Sequence, residues 1–134
     1  SPLADGADRL VADEWLSYND HILETPLPLS IDDYLYDFET EESKDEFYRL
    51  LGESKKQTVM AAQESRSEAY RAVGVFVVDS CDLLLAIWDG QAPANRAGTA
   101  AIVEYARGVG RPLYWVNALH PENVREERLD EIFG

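Results

Sequence analysis

The hydrophobic pattern is most informative over residues 82–117, which read DLLLAIWDGQAPANRAGTAAIVEYARGVGRPLYWVN. Residues 83–87 are an unbroken apolar run, as expected of a strand over 82–88 covered on both faces. A Gly-bearing loop follows, then a small-residue helix over 99–107 whose inward positions are Ala101, Ile102, Tyr105 and Ala106. Gly108 and Gly110 stop that helix, and Pro112 opens a second strand over 113–117. Upstream, Asp5 or Gly6 caps a helix that places Leu10, Val11, Trp15 and Leu16 on one face, and Asn19-Asp20 ends it. Residues 21–29 predict a short strand, because Pro26 and Pro28 forbid a long central one. The acidic stretch 30–42 alternates Tyr34, Tyr36 and Phe38. A helix is predicted over 43–51, with Phe47, Leu50 and Leu51 inward and Gly52 at its end. Residues 53–63 are polar and carry no clear period. Residues 64–80 repeat apolar positions every three or four residues (Tyr70, Val73, Val77, Cys81) and predict a helix, although Val75, Val77 and Val78 weaken it. The charged tail 120–133 predicts one more helix.

A buried strand, a loop, a crossover helix and a parallel strand in succession predict an α/β chain. We expect a three-layer Rossmann-like domain with a mostly parallel sheet, spanning 1–134 as a single domain. Such a domain would supply a strand before Ser1, so we expect its first strand upstream, the N-terminus being truncated. Ligands of these sheets sit beyond the carboxyl ends of the strands, where the loop 89–98 leaves its strand.

The 134 residues suffice for a full core. A formal charge of −14, from 26 acidic and 12 basic residues, repels phosphate backbones and argues against double-stranded nucleic acid as a partner. A small anion is still compatible, since helix N-termini bind phosphate without net positive charge. No run of about 18 apolar residues predicts a membrane span. The lone Cys81 allows no intrachain disulfide, which suits a reducing cytoplasm, and we read it as a packing residue rather than a nucleophile. His21 and His120 are isolated, so no metal site is expected, and no nucleophile-elbow pattern is present.

Two stretches carry a family likeness. Residues 1–12, SPLADGADRLVA, resemble the small-residue turn and helix start that follow an early strand in the Rossmann-like superfamily of LOG ("lysine decarboxylase-like"), DprA-like and nucleoside 2-deoxyribosyltransferase proteins, whose sensory branch is called SLOG. Residues 81–90, CDLLLAIWDG, with 97–106, AGTAAIVEYA, resemble that superfamily's strand and its Gly-Gly-Thr loop and helix. The resemblance implies a nucleotide-binding framework. Family enzymes place a glutamate three residues after the threonine, where this chain has Ile102. Glu104 lies two residues further on, about 200° round a helix, and Ala97 fills a glycine position.

Gly98 and Thr99 open a helix and would offer amides and a hydroxyl to a phosphate, or simply form a turn and a cap. Asp89 and Gly90 end the strand; the carboxylate would orient ribose hydroxyls, or the pair is only an Asp-Gly turn. Arg96, the loop's cation, pairs with phosphate or is solvated. Trp88 stacks on a base or belongs to the core. Gly6 and Ala7 start the other helix, where glycine permits close approach of a ligand and Asp8 serves as cap or arginine partner. Arg66 and Tyr70 sit one turn apart. Tyr34 and Asp37 either cover a base or pack on the domain. We expect the two helix starts to share one anion-binding crevice.

The chain is thus read as a cytoplasmic sensor of a nucleotide or nucleotide-derived small molecule, such as an ADP-ribose-like ligand, with no cofactor, no assigned catalytic residue, and a homo-oligomer or fused effector domain as possible company. The alternative is an N-glycosidic-bond hydrolase or transferase acting on nucleosides or nucleotides, with Asp89 or Glu104 in place of the glutamate. A third reading is an assembly domain without a ligand, presenting Tyr105, Tyr114 and Trp115.

Overall fold

The computed structural model describes residues 1–133. The chain is mixed α/β and divides into two compact units, Ser1–Gln63 and Glu64–Gly134. In the first, α1 (Ala7–Leu16) is followed by β1 (Glu24–Leu27), a short α2 (Ile31–Tyr34) with a 3-10 turn (Leu35–Asp37), α3 (Glu41–Glu53) and β2 (Lys56–Val59). Gly6 is the N-cap of α1, as its position suggests, with φ 93° that a side chain would resist. The Oγ of Ser30 and the Oγ1 of Thr40 accept the amides of Asp33 and Ser43 and so start α2 and α3.

β1 and β2 pair in parallel, from Glu24 opposite Lys56 to Leu27 opposite Val59. Each is an edge in this two-stranded sheet, so Pro26 is tolerated without an N–H. Around the sheet, Leu3, Leu23, Leu27, Leu50 and Leu51 are buried together with an aromatic cluster of Tyr34, Phe38 and Phe47, whose ring centroids lie 4.9–5.5 Å apart. The inward face of α1 differs from the expected one. Leu10 and Trp15 are 71% and 46% exposed, whereas Arg9 and Ala12 are buried. The aliphatic stem of Arg9 carries its guanidinium over the Phe38 ring at 4.4 Å, which makes the arginine part of the core.

The second unit contains α4 (Arg66–Ser80), β3 (Leu84–Trp88), α5 (Thr99–Gly108), β4 (Leu113–Asn117), β5 (Val124–Glu127) and a terminal turn of helix α6 (Asp130–Phe133). β3 and β4 are parallel, with Leu84 opposite Leu113 and Trp88 opposite Asn117; β5 is antiparallel to β4. Val78, Leu84, Ala86, Val103, Ala106 and Leu113 form the core between the sheet and helices α4 and α5. Gly74 is what lets the helices meet: a Cβ there would overlap Ile102.

Two expectations are corrected here. The apolar run of β3 is buried on one side only, since Leu84 and Ala86 face the core while Leu85 is 43% exposed. The tail 120–133 is not one helix but a β-strand and a single helical turn. The strand is held by its ladder to β4 and by a bidentate pair from Arg107 Nε and Nη2 to the Glu127 carboxylate, at 2.9 and 2.8 Å. No helix among the described residues is long and apolar enough to cross a membrane.

Candidate functional site

The residues singled out above fall in both units. Gly6, Ala7 and Tyr34 lie in the first; Asp89, Gly90, Arg96, Gly98 and Thr99 lie in the second, where they form one continuous loop between β3 and α5.

That loop begins at the carboxyl end of β3 and is tied down where it leaves. Asp89 Oδ1 accepts the Gln91 amide at 3.0 Å, and the Trp88 indole donates to the Gln91 carbonyl at 3.1 Å. The Trp115 indole and the Ala118 amide both donate to the Trp88 carbonyl, at 2.9 Å each. Gly90 has φ 83°, and a Cβ on it would press on the Trp115 ring at 3.2 Å. The glycine is therefore required by both its backbone angle and its neighbour. Asp89 is exposed. Trp88 packs against the core and against Trp115, centroids 5.0 Å apart, with Arg107 over its ring.

The far end of the loop is fixed differently. Asn95 Oδ1 accepts the amides of Ala97 (2.8 Å) and Gly98 (3.1 Å), and Gly98 caps α5 through its backbone alone. The first helical bond runs from the Ile102 amide to the Gly98 carbonyl at 3.2 Å. The N–H groups of Thr99, Ala100 and Ala101 therefore have no intrahelical acceptor at this end. The first turn of α5 holds no acidic residue, while the first turns of α1, α3 and α4 do. Thr99 is exposed. The Arg96 side chain reaches Glu68 of α4 at 3.6 Å, and the Arg96 carbonyl accepts from Arg71 Nη1 at 3.0 Å.

In the first unit, Gly6 and Ala7 are exposed at the start of α1, where the Gly6 carbonyl accepts the amides of Arg9 and Leu10 at 3.2 Å each. Asp8 Oδ2 accepts the Ala4 amide at 3.1 Å, and burial raises the pKa of this carboxyl above its ordinary value. Tyr34 is 1% exposed, and its hydroxyl donates to the Pro2 carbonyl at 3.1 Å. Burial, then the charges of Asp8 and Asp37, push the Tyr34 phenol well above its usual range. In this structure Tyr34 is thus a core residue of its unit, as the packing alternative for it anticipates.

Three side chains that hold the local structure escape a reading of the sequence. Arg9 donates from Nε to the Leu3 carbonyl (3.1 Å) and from Nη1 to the Ser43 carbonyl (2.8 Å), with Asp5 and Glu46 within 3.6 Å. Its Nη2 is buried without a hydrogen-bond partner. Asn95 and Arg71 shape the α5 start. For Asn95 a signal existed, since Asn three residues before a helix-opening glycine favours an Asx turn. For Arg71 none existed, because its partner is 25 residues away, and for Arg9 the contacts with Ser43 and Glu46 are likewise remote in sequence. Among the described residues no cluster of three or more His, Cys, Asp or Glu side chains is arranged to hold a metal ion.

No family profile matches this chain, and no curated protein matches it.

Proposed function

We propose that this chain binds a nucleotide or nucleotide-derived small molecule through helix N-termini at strand carboxyl ends, as part of a Rossmann-like, three-layer arrangement. The observation that carries this reading is the start of α5. Three amides without intrahelical partners stand there beside the exposed Thr99, with no acidic side chain in the turn, in a chain of charge −14. Such an end favours an anion through its dipole and its N–H groups. Arg96 adds a cation in the same loop, and the exposed Asp89 at the end of β3 suits ribose hydroxyls. The likeness of residues 81–90 and 97–106 to the SLOG and LOG proteins supports the same conclusion. Binding is favoured over catalysis because the family's glutamate position is Ile102, which is packed against Gly74.

Isothermal titration with AMP, ADP, ADP-ribose and NAD tests this. Binding of one of them, weakened at least about tenfold by Thr99→Glu, is the expected outcome. Absence of any binder in the panel overturns it. A second reading, cleavage of an N-glycosidic bond, is favoured only by the exposed Asp89 carboxylate at the end of β3. Release of free base from a nucleoside monophosphate, lost in Asp89→Ala, would establish it.

A further inference from the structure

Resting on that reading, we propose that Arg71 of α4 is the positioning residue of the site, and that it acts by fixing the backbone of the turn ahead of α5. Arg71 Nη1 donates to the Arg96 carbonyl at 3.0 Å across 25 residues of sequence. The guanidinium also lies over the Tyr105 ring at 5.6 Å, and the Tyr105 hydroxyl donates to Asp79 at 2.8 Å. Arg71 is thereby flanked by α5 on one side and the loop on the other. What it grips is a main-chain carbonyl, one residue after Asn95 and one before Ala97. The Asn95 carboxamide can serve the Ala97 and Gly98 amides only while this peptide keeps its orientation. At the opposite end the loop is secured by Asp89 and Trp88, so the exposed residues 92–94 span two anchored points. The Arg96 side chain is not needed for the anchor, since its ion pair with Glu68 is mostly solvated.

The test is solvent-exchange NMR on the full chain, with ADP-ribose affinity measured in parallel. Arg71→Met raises exchange at the Ala97 and Gly98 amides about fivefold, leaves the β3 and β4 amides as they are, and weakens ADP-ribose by a similar factor. Arg71→Lys, which keeps the charge and one donor, restores part of the protection. Arg96→Ala, which keeps the carbonyl, leaves the protection intact. Wild-type exchange in Arg71→Met, or equal loosening in Arg96→Ala, overturns the assignment. If the wild type binds none of AMP, ADP, ADP-ribose and NAD while exchange responds as stated, the anchor stands and the nucleotide reading falls.

Discussion

Gly74 and Ile102 touch where α4 crosses α5, and the space between them admits no further carbon atom. An exposed helical Gly→Ala change normally stabilises by about 1 kcal/mol. Here Gly74→Ala is expected to destabilise by about 1–2 kcal/mol instead, because the Ile102 side chain must move. Urea denaturation of Gly74→Ala, Ile102→Ala and the double variant should show a coupling above about 0.5 kcal/mol, the double variant recovering part of the loss. Additive effects would show that the two do not meet.

Arg9 is a buried arginine that joins the Leu3 turn, α1 and the start of α3 in the first unit. Arg9→Met keeps the stem but strands the Leu3 and Ser43 carbonyls, and should cost about 2–4 kcal/mol in chemical denaturation. Arg9→Lys should recover little, since an ammonium cannot reach both carbonyls and cover the Phe38 face as the planar fork does. A lysine variant as stable as the wild type would refute this.

Gly90 should resist replacement for two reasons at once. Gly90→Ala forces a side chain into φ 83° and against the Trp115 ring, and is expected to cost about 1–3 kcal/mol with a shifted tryptophan emission. An unchanged melting temperature would contradict the geometry of the β3 exit.

The Arg107–Glu127 pair gives a pH signature. The Arg107 guanidinium holds the Glu127 carboxyl below its ordinary value of 4.5. A carboxylate whose pKa is depressed by folding contributes stability above its unfolded value and loses it as pH falls through the folded one. The pair is partly exposed, so the contribution is at most about 1 kcal/mol. Glu127→Gln should therefore be less stable than the wild type at pH 7, and the difference should fade below about pH 4. A difference constant with pH would exclude the ion pair as its source.

The sequence discloses those elements whose apolar pattern is local. The elements α3, α4, β3 and α5 lie within a few residues of the expected bounds, because a helical period or an unbroken apolar run marks them, whereas α1 lies where expected but turns Arg9 and Ala12 inward. β2 was hidden, since Lys56, Gln57 and Val59 are exposed and its strand character comes from pairing with β1. β5 was hidden for the same reason, its polar residues being held by β4 and Arg107. For the loop 89–98, Asp89-Gly90 and Gly98-Thr99 announced a turn at one end and a helix start at the other, while the Asn95 turn went unread. The anchoring of its middle carbonyl did not show, because Arg71 lies 25 positions away on a helix that reads as amphipathic.

The three stretches gathered by Arg9 bear on how this protein can be engineered. The amino-terminal turn holds a buried Leu3 at φ 57°, and its carbonyl, with that of Ser43, receives the guanidinium. A cleavage or a tag junction placed between Leu3 and Arg9 would be felt 34 residues downstream at Ser43. Fusions and deletions in this unit therefore need their seams in the exposed connection after α1, around Asp20, and not at its leading edge.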